Sequence, residues 1–221
     1  MKWYLDFGHG GKDPGALGTN KTKESDSVLK IGMLIKNNLE QAFEKVITTR
    51  EDDKYYSLDY RSSKANKENC DYFVSIHMNS STNKSAKGVV VWVYDEKSKL
   101  YTLSKDICTN LSKAINTPNR GVKISKNFSV LKKTKMPALL IEIDFISNTS
   151  VEASLKSDIY IKNIATSISK SLLAFVNKSI VDDGIFYRVC IGEFKDMSTA
   201  VEIKNTAISK GFNNTHIINS L

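Results

Sequence analysis

The chain has 221 residues, of which 41% are hydrophobic and 25% charged, a composition typical of a globular protein. This length can hold one well-buried α/β domain plus a small appendage. No apolar run approaches the ~20 residues that a helix needs to span a bilayer, so we expect no membrane insertion.

The formal net charge is +8, which favours anionic partners such as wall teichoic acid, nucleic acid or anionic lipid. The sequence has no zinc finger, no aromatic–basic nucleic-acid motif and no cluster of five or more basic residues. We therefore expect dispersed, solvated lysines and no nucleic-acid partner. The three cysteines, Cys70, Cys108 and Cys190, are far apart and are predicted to be reduced and mostly buried.

Apolar runs that predict strands alternate with 3.6-residue patterns that predict helices. In chain order we predict a strand at 2–7, a helix through Val28 to Leu39 capped by Asp26 or Ser27, a strand at 46–49, a helix from a Ser57 cap to Asn69, strands at 72–77 and 88–94, a helix at 100–111, short extended pieces at 120–131, a strand at 138–143 and a helix at 161–175. This alternation predicts an α/β fold with a mostly parallel twisted sheet and helices on both faces.

The pattern breaks into a short polar linker at 177–183. Beyond it, residues 184–221 are predicted to form a small βαβ unit, with strands at 187–194 and 215–218 and a helix at 199–210. We therefore divide the chain into a main domain at 1–177 and an appendage at 184–221. His216 lies in the appendage, so we do not assign it to a metal site.

Two of the three histidines lie at the ends of predicted strands. His9 follows the first strand in a glycine-rich loop, and His77 ends the strand at 72–77. Because parallel α/β sheets keep their sites at the carboxyl ends of strands, these side chains are candidates for one site. With Glu24 as a nearby carboxylate they are a plausible zinc constellation.

Each of these residues also has an ordinary structural explanation. The loop histidine could be incidental to a turn, and His77 could be a core histidine bonded to backbone. Glu24 could be an acid that complements a helix dipole. Glu142 could pair with a buried cation, although a lone carboxylate within an apolar strand is costly unless something compensates it. A metal ion beside it would do so.

Five segments carry a resemblance to a known family. They are Asp6-Phe-Gly-His-Gly-Gly-Lys-Asp-Pro-Gly-Ala16, Glu24, Leu58-Asp-Tyr-Arg61-Ser-Ser-Lys-Ala65-Asn66, Ser75-Ile-His77-Met-Asn79 and Ile141-Glu142-Ile-Asp-Phe-Ile-Ser-Asn148. In this order they resemble the zinc-dependent N-acetylmuramoyl-L-alanine amidases of the Amidase_3 family, over about residues 1–177. One departure is Asp144, where the family more often has a small residue; it puts the local pocket shape in question.

The resemblance implies one Zn²⁺ per chain, bound by His9, Glu24 and His77, with Glu142 as the catalytic residue. Such a zinc ion would activate water near neutral pH, and Glu142 would take the proton and pass it to the departing amine. The implied substrate bond is the amide between N-acetylmuramic acid and L-alanine in the peptidoglycan of a Gram-positive host. Asn79, Asn148 and Arg61 are candidates for substrate binding. Asn79 and Asn148 could instead orient the metal ligands, and for Arg61 we favour a structural role in which it anchors its helix to a loop carboxylate.

The appendage resembles one half of the sporulation-related (SPOR) repeat found on wall hydrolases, or else is a generic βαβ unit. As a half repeat it would bind walls or pair with the same unit of a second chain, giving a homodimer. Because Met1 leads directly into the first strand, we expect no signal peptide. Either a signal has been removed, or the chain is made in the host cytoplasm and reaches the wall after release, as a phage endolysin does.

Four other functions remain open from the sequence. A cellular autolysin or spore-cortex amidase would have the same chemistry. A zinc-dependent peptidoglycan peptidase would need similar ligands, and only its products would differ. A non-enzymatic wall-binding protein would lack a ligand or the base, and none is missing. A nucleic-acid-binding module would show a steep salt dependence of affinity.

Overall fold

A computed structural model describes residues 1–180, 192–212, 215 and 217. The chain divides into two compact units, Met1–Val181 and Asp182–Leu221, which are described separately here. Within the described residues, no helix has the length and apolarity needed to cross a membrane.

The first unit alternates strands and helices. Its elements are β1 (Lys2–Phe7), α1 (Glu24–Gln41), β2 (Lys45–Thr48), α2 (Leu58–Lys67), β3 (Tyr72–Asn79), β4 (Val89–Val93), α3 (Tyr101–Ala114), β5 (Asn119–Ile124), α4 (Ser129–Lys133), β6 (Ala138–Phe145), α5 (Thr149–Ser154) and α6 (Asp158–Phe175).

The six strands form one sheet in the order β2-β1-β3-β6-β4-β5. Every neighbouring pair is parallel except β4 and β6, which are antiparallel. The link from β3 to β4 is shorter than the dozen or more residues of a parallel crossover, which accounts for the reversed direction of β4. The predicted α/β fold with a mostly parallel sheet is confirmed.

Helices cover both faces of the sheet, as predicted. Alternate side chains of β1 point to opposite faces: Trp3, Leu5 and Phe7 pack into the larger core with α1, α3 and α6, whereas Tyr4 packs into a smaller core with α2 and α4. The larger core holds most of the fully buried aliphatic side chains, so this face supplies most of the hydrophobic stabilisation.

The start of α1 differs from the prediction. We expected a cap at Asp26 or Ser27, but the helix begins at Glu24 and its N-cap, Lys23, makes no side-chain cap bond. Loop carbonyls replace the cap, because the N–H of Glu24 donates to Ala16 O and that of Ser25 to Pro14 O. Glu24 is therefore held at the first turn of the helix by the glycine-rich loop.

The remaining helices and strands agree with the predictions in part. Ser57 caps α2 as predicted, by accepting a hydrogen bond from the N–H of Tyr60. The strands β3 and β6 run two residues further than expected, to Asn79 and Phe145. The short helices α4 and α5 were not predicted. Cys70 and Cys108 are buried free cysteines, as expected.

The second unit contains a helix, α7 (Met197–Ser209), close to the predicted 199–210. Asp196 caps it by accepting hydrogen bonds from the N–H groups of Ser198 and Thr199. The described residues do not include Cys190, His216, most of the strand predicted at 187–194 or half of the strand predicted at 215–218.

Candidate metal centre and active site

The three predicted ligands meet at one edge of the sheet. The N–H of Gly8 donates to Ile76 O at 3.1 Å, which extends the β1–β3 pairing and brings His9 and His77 side by side. Their ring centroids are 5.0 Å apart. Glu24 enters from the start of α1, so strand ends and a helix start converge on one point.

The ligand atoms are close enough to share one ion. Glu24 Oε1 lies 3.2 Å from His9 Nε2 and 2.9 Å from His77 Nδ1. One donor atom from each of the three residues lies within 4.8 Å of the other two. Backbone amides fix the carboxylate: Met78 N donates to Oε1 at 3.0 Å and Ala16 N to Oε2 at 2.9 Å.

These donors fit a zinc ion. Two imidazole nitrogens and one carboxylate oxygen are a known catalytic zinc set, which leaves a position for water or substrate. The arrangement does not by itself identify the metal, because imidazole and carboxylate also bind other divalent ions.

Glu142 lies beside this centre. It is the direct cross-strand partner of His77 in the β3–β6 pair. Its Oε2 is buried and has no hydrogen-bond partner among the described residues. Burial raises the pKa of Glu142 to about 7, aided by the charge of Glu24 and opposed by the two imidazoles. An orphaned buried carboxylate at this place is what a neighbouring cation and a water molecule would satisfy.

The ligands are strongly coupled in the metal-free protein. Burial lowers the pKa of His9, but the hydrogen bonds and charges of Glu24 and Asp13 outweigh it and raise the pKa to about 9. Burial would raise the pKa of Glu24, but the two imidazoles hold it well below its usual range. The carboxylate is therefore ionised and available to a cation.

Two glycines are required by the close packing of the ligands. Any side chain at Gly8 would overlap the imidazole of His77. A Cβ at Gly15 would lie 2.6 Å from His9 Cδ2 and 2.7 Å from Glu24 Oε2, and the φ of Gly15 is +68°. The glycine-rich loop thus lets the backbone approach the ligands closely.

The backbone at His9 is itself strained, with a φ of 61° in the left-handed region. Arg61 supports it: Nη2 donates to His9 O, and Nη1 donates to Phe7 O and to the carboxylate of Asp6. Arg61 is buried, so its guanidinium supports the loop from the protein interior. We therefore assign Arg61 to positioning, not to substrate contact.

The side-chain oxygen and nitrogen of Asn148 are also hydrogen-bonded within the fold. Its Oδ1 caps α5 by accepting from the N–H groups of Ser150 and Val151, and its Nδ2 donates to Lys84 O. It is buried, so we reassign it to positioning as well. Asn79 is half-buried at the end of β3, where its Oδ1 accepts from Ser80 N, and it stays a predicted substrate contact.

Three supporting residues were not found from the sequence. Asp13 Oδ2 lies 2.9 Å from His9 Nδ1, which orients the ring with Nε2 toward the centre. Buried Arg50 donates to Gly8 O and Ser25 O, joining the loop to the start of α1. Only the position of Asp13, four residues after His9, was a usable signal.

The third, Glu152, is buried beneath the loop that leads to Glu24. Its carboxylate accepts from the N–H groups of Asn20 and Thr22 and from the hydroxyl of Thr19. Glu152 is the fourth residue of α5 and lies three residues after Thr149, so in the sequence it would be mistaken for part of a Thr-x-x-Glu capping box.

Asp144, the departure from the family pattern, is also buried. Its Oδ1 accepts from Gly88 N and Oδ2 accepts from Thr117 Oγ1, so its carboxylate joins β6 to the start of β4.

The fold and this site define a class of protein: α/β enzymes with a candidate metal site at the carboxyl ends of parallel strands. The model of the N-acetylmuramoyl-L-alanine amidase family, Amidase_3, matches residues 4–174. The chain belongs to this family, and it is a hydrolase of the amidase class, as the sequence predicted.

Individual proteins similar to this chain agree with the family match. A sporulation-specific N-acetylmuramoyl-L-alanine amidase of Bacillus subtilis is 34% identical over 96% of this chain and 82% of its own length. An endolysin of Bacillus phage SPP1 is 35% identical over 79% of this chain and 65% of its own. The structure of an N-acetylmuramoyl-L-alanine amidase of Nostoc punctiforme aligns with a TM-score of 0.75 and 32% identity, covering 80% of this chain and 97% of that one.

Proposed function

We propose that the chain cleaves the amide between N-acetylmuramic acid and L-alanine using one zinc ion held by His9, Glu24 and His77. One observation carries the proposal: donor atoms of the three residues lie within 4.8 Å of one another, beside the unpartnered carboxylate oxygen of Glu142. The substrate in this proposal is the peptidoglycan of a Gram-positive host.

A zinc ion bound there would supply Lewis-acid activation of a water molecule and of the scissile carbonyl. Glu142 Oε2 would accept the proton of the attacking water and deliver it to the departing amine of L-alanine. In the metal-free protein burial raises the pKa of Glu142 to about 7, and a bound cation would lower it toward the ionised form that a general base needs. Asp13 and the backbone amides of Ala16 and Met78 would keep the ligands oriented.

Metal content and activity test this proposal together. The purified protein should carry about one zinc per chain, a chelator should abolish lysis of purified walls, and added zinc should restore it. Undiminished lysis by metal-free protein would contradict the zinc assignment. Cleavage between amino acids of the stem peptide would support a zinc peptidase instead.

For the biological role, we propose a phage endolysin that is made in the host cytoplasm and reaches the wall after release. The similarity to the Bacillus phage SPP1 endolysin supports it. A cellular or spore-cortex amidase is the second candidate, because the similarity to the sporulation-specific amidase extends over 96% of the chain. Purified vegetative walls and purified spore cortex should be digested side by side: faster lysis of vegetative walls favours the first role, and faster digestion of cortex the second.

For residues 184–221 we propose a wall-binding unit beside a catalytic domain at 1–177. Helix α7 exposes several apolar side chains, among them Met197, Val201 and Ile208, which a ligand or a second chain could cover. Removing residues 183–221 should leave activity on soluble muropeptides near normal and weaken attachment to intact walls. Light scattering on both forms tests the homodimer: a full-length dimer that becomes a monomer supports pairing through this unit.

A further inference from the structure

Nearly all of the excess positive charge comes from one stretch of the chain. Between Asp106 and Glu142 there is no acidic residue, and there are seven basic ones: Lys113, Arg120, Lys123, Lys126, Lys132, Lys133 and Lys135. Outside this stretch, 25 basic residues face 24 acidic ones. The expectation of dispersed charge is therefore wrong along the sequence, and the question is where these cations lie in space.

Six of the seven lie on β5, on α4 or in the segments that directly follow these two elements. We call these residues the cationic edge: Arg120, Lys123, Lys126, Lys132, Lys133 and Lys135. All six are exposed, and β5 is the last strand of the sheet. Among the described residues, no further strand of this sheet covers β5, so a polymer could reach these six side chains directly from solvent.

Aromatic contacts place the two groups of cations on the same face. Lys123 Nζ lies 5.5 Å from the ring centroid of Trp92, and Lys126 Nζ lies 6.0 Å from that of Tyr94. Phe128, the residue that precedes α4, packs edge-on against Trp92 at 5.3 Å. The contact of Phe128 with Trp92 thus joins the start of α4 to the face of the sheet on which the ammonium groups of Lys123 and Lys126 lie.

The cationic edge begins beside the catalytic residues. Because β5 is parallel to β4 and β4 is antiparallel to β6, the start of β5 lies at the end of the sheet where β6 finishes. Arg120, the second residue of β5, places its guanidinium 4.9 Å from the ring centroid of Phe145, three residues beyond Glu142. The positive charge therefore runs from the candidate active site down the border of the sheet.

Few of these charges are neutralised within the fold. Lys133 pairs with Asp59, and across residues 1–180 and 192–212 no carboxylate lies within ion-pair distance of the other five. Asp95 and Glu96 follow Tyr94 at the far end of β4, the end of the sheet at which Lys126 follows β5.

Protection of an exposed strand accounts for only part of this pattern. Lysine on an edge strand discourages pairing with other chains, which suffices for Lys123. Lys132 and Lys135 lie on and after α4, away from the unpaired backbone of β5, so edge protection does not explain them.

We propose that the cationic edge binds the anionic polyol-phosphate polymer of the bacterial wall, the wall teichoic acid type, and so holds the enzyme against its substrate. Spaced lysines suit a flexible chain with regularly repeated phosphates. Nucleic acid fits less well, because the half-buried rings of Trp92 and Tyr94 are covered by ammonium groups and are not free to stack on bases. The wall is also where a peptidoglycan amidase acts.

The test compares two full-length triple variants with the same change in charge. One is Lys123→Gln/Lys126→Gln/Lys132→Gln; the control is Lys156→Gln/Lys162→Gln/Lys170→Gln, on or next to exposed turns of α6. Arg120 is left intact because it adjoins the active site. Binding to purified walls is measured by co-sedimentation over a range of salt concentrations, before and after acid extraction of the phosphate polymer.

We expect the first variant to lose wall affinity by roughly tenfold or more at low salt. The slope of log affinity against log salt concentration should also be smaller by about 2. The control should bind like the parent, and extraction of the polymer should remove the difference between them. Hydrolysis of soluble muropeptides should stay unchanged in both variants, so a failure of the amidase proposal would be visible separately.

Three results would overturn the proposal. They are equal losses in both variants, parent binding that is unaffected by extraction, and equally tight, equally salt-dependent binding of the parent to double-stranded DNA. The last would show a non-selective polyanion surface. Thermal unfolding of each variant, unchanged from the parent, establishes that the comparison is between folded proteins.

Discussion

His77 and Glu142 are direct partners in the parallel pair formed by β3 and β6. Because parallel strands in register carry equivalent positions to the same edge, this one pairing puts a metal ligand and a buried carboxylate side by side. The two residues nevertheless have different environments: His77 contacts Glu24, whereas Glu142 Oε2 has no partner among the described residues.

This difference predicts separable effects of mutation. Glu142→Gln should keep bound zinc while activity falls by ~10²-fold or more, because only proton transfer is lost. His77→Ala should lose zinc and activity together. Metal analysis beside muropeptide hydrolysis distinguishes the two; a Glu142→Gln protein without metal would mean that Glu142 is a ligand and that the assignment fails.

Gly8 provides a test of the site's packing. Gly8→Ala should weaken zinc binding, because the added methyl group would displace the imidazole of His77. Gly32→Ala is the matched control, since its methyl group would meet the ring of Phe7 in the core and not a ligand. Gly32→Ala should lower the free energy of unfolding and keep zinc in the folded protein. Equal zinc affinity in parent and Gly8→Ala would show that the ring has more room than the structure indicates.

Asp13 should raise the affinity for zinc by orienting the imidazole of His9. Asp13→Asn removes the carboxylate 2.9 Å from Nδ1, and we expect zinc affinity to fall roughly 10- to 100-fold, the usual effect of losing such a partner. Asp26→Asn, an exposed change of the same charge on α1, should leave affinity unchanged. Competition with a chelating dye measures both, and similar constants for Asp13→Asn and Asp26→Asn would argue against the role of Asp13.

The buried pair of Asp6 and Arg61 should control stability. Asp6→Asn leaves Arg61 with no carboxylate partner in the interior, which should cost about 3–5 kcal/mol in the free energy of unfolding. Asp59→Asn, which breaks the exposed pair with Lys133, should cost less than about 1 kcal/mol. Urea unfolding compares them, and equal costs would contradict the structural role of the buried pair.

The same pair predicts acid sensitivity. Burial would raise the pKa of Asp6, but Arg61 and the hydroxyl of Thr49 outweigh it and hold the pKa below its unfolded value of roughly 3.9. The stabilisation is thus fully present above about pH 4 and is lost as the pH falls through the folded pKa. Unfolding measured between pH 5 and pH 2 should show a smaller loss of stability in Asp6→Asn than in the parent.

Much of the site was predictable because its residues have local signals. A glycine-rich loop after an apolar strand identified His9, and the end of an apolar strand identified His77. Glu142 was identified from the family resemblance and from the cost of a lone carboxylate within an apolar strand. The supporting residues lacked such signals, because their partners are remote in sequence. Arg50 binds the carbonyl oxygen of Gly8, and Glu152 binds the loop at Asn20.

The direction of β4 and the existence of α4 also depend on packing between distant segments. Periodicity predicts a strand but not its neighbour, and the five residues of α4 are too few to show a helical period. The favoured structural role of Arg61 agrees with its burial, whereas the choice between orienting and substrate-binding roles for Asn148 could not be made from the sequence, because burial cannot be deduced for a polar residue from its motif alone.

The most direct test of the central claim is mass spectrometry of peptidoglycan digested by the zinc-loaded enzyme. The account predicts free stem peptides with an L-alanine amino terminus, together with glycan chains whose muramic acid retains a free lactyl carboxylate. Glu142→Gln should give neither product at a comparable rate. Stem peptides cleaved internally and still attached to muramic acid would contradict the account.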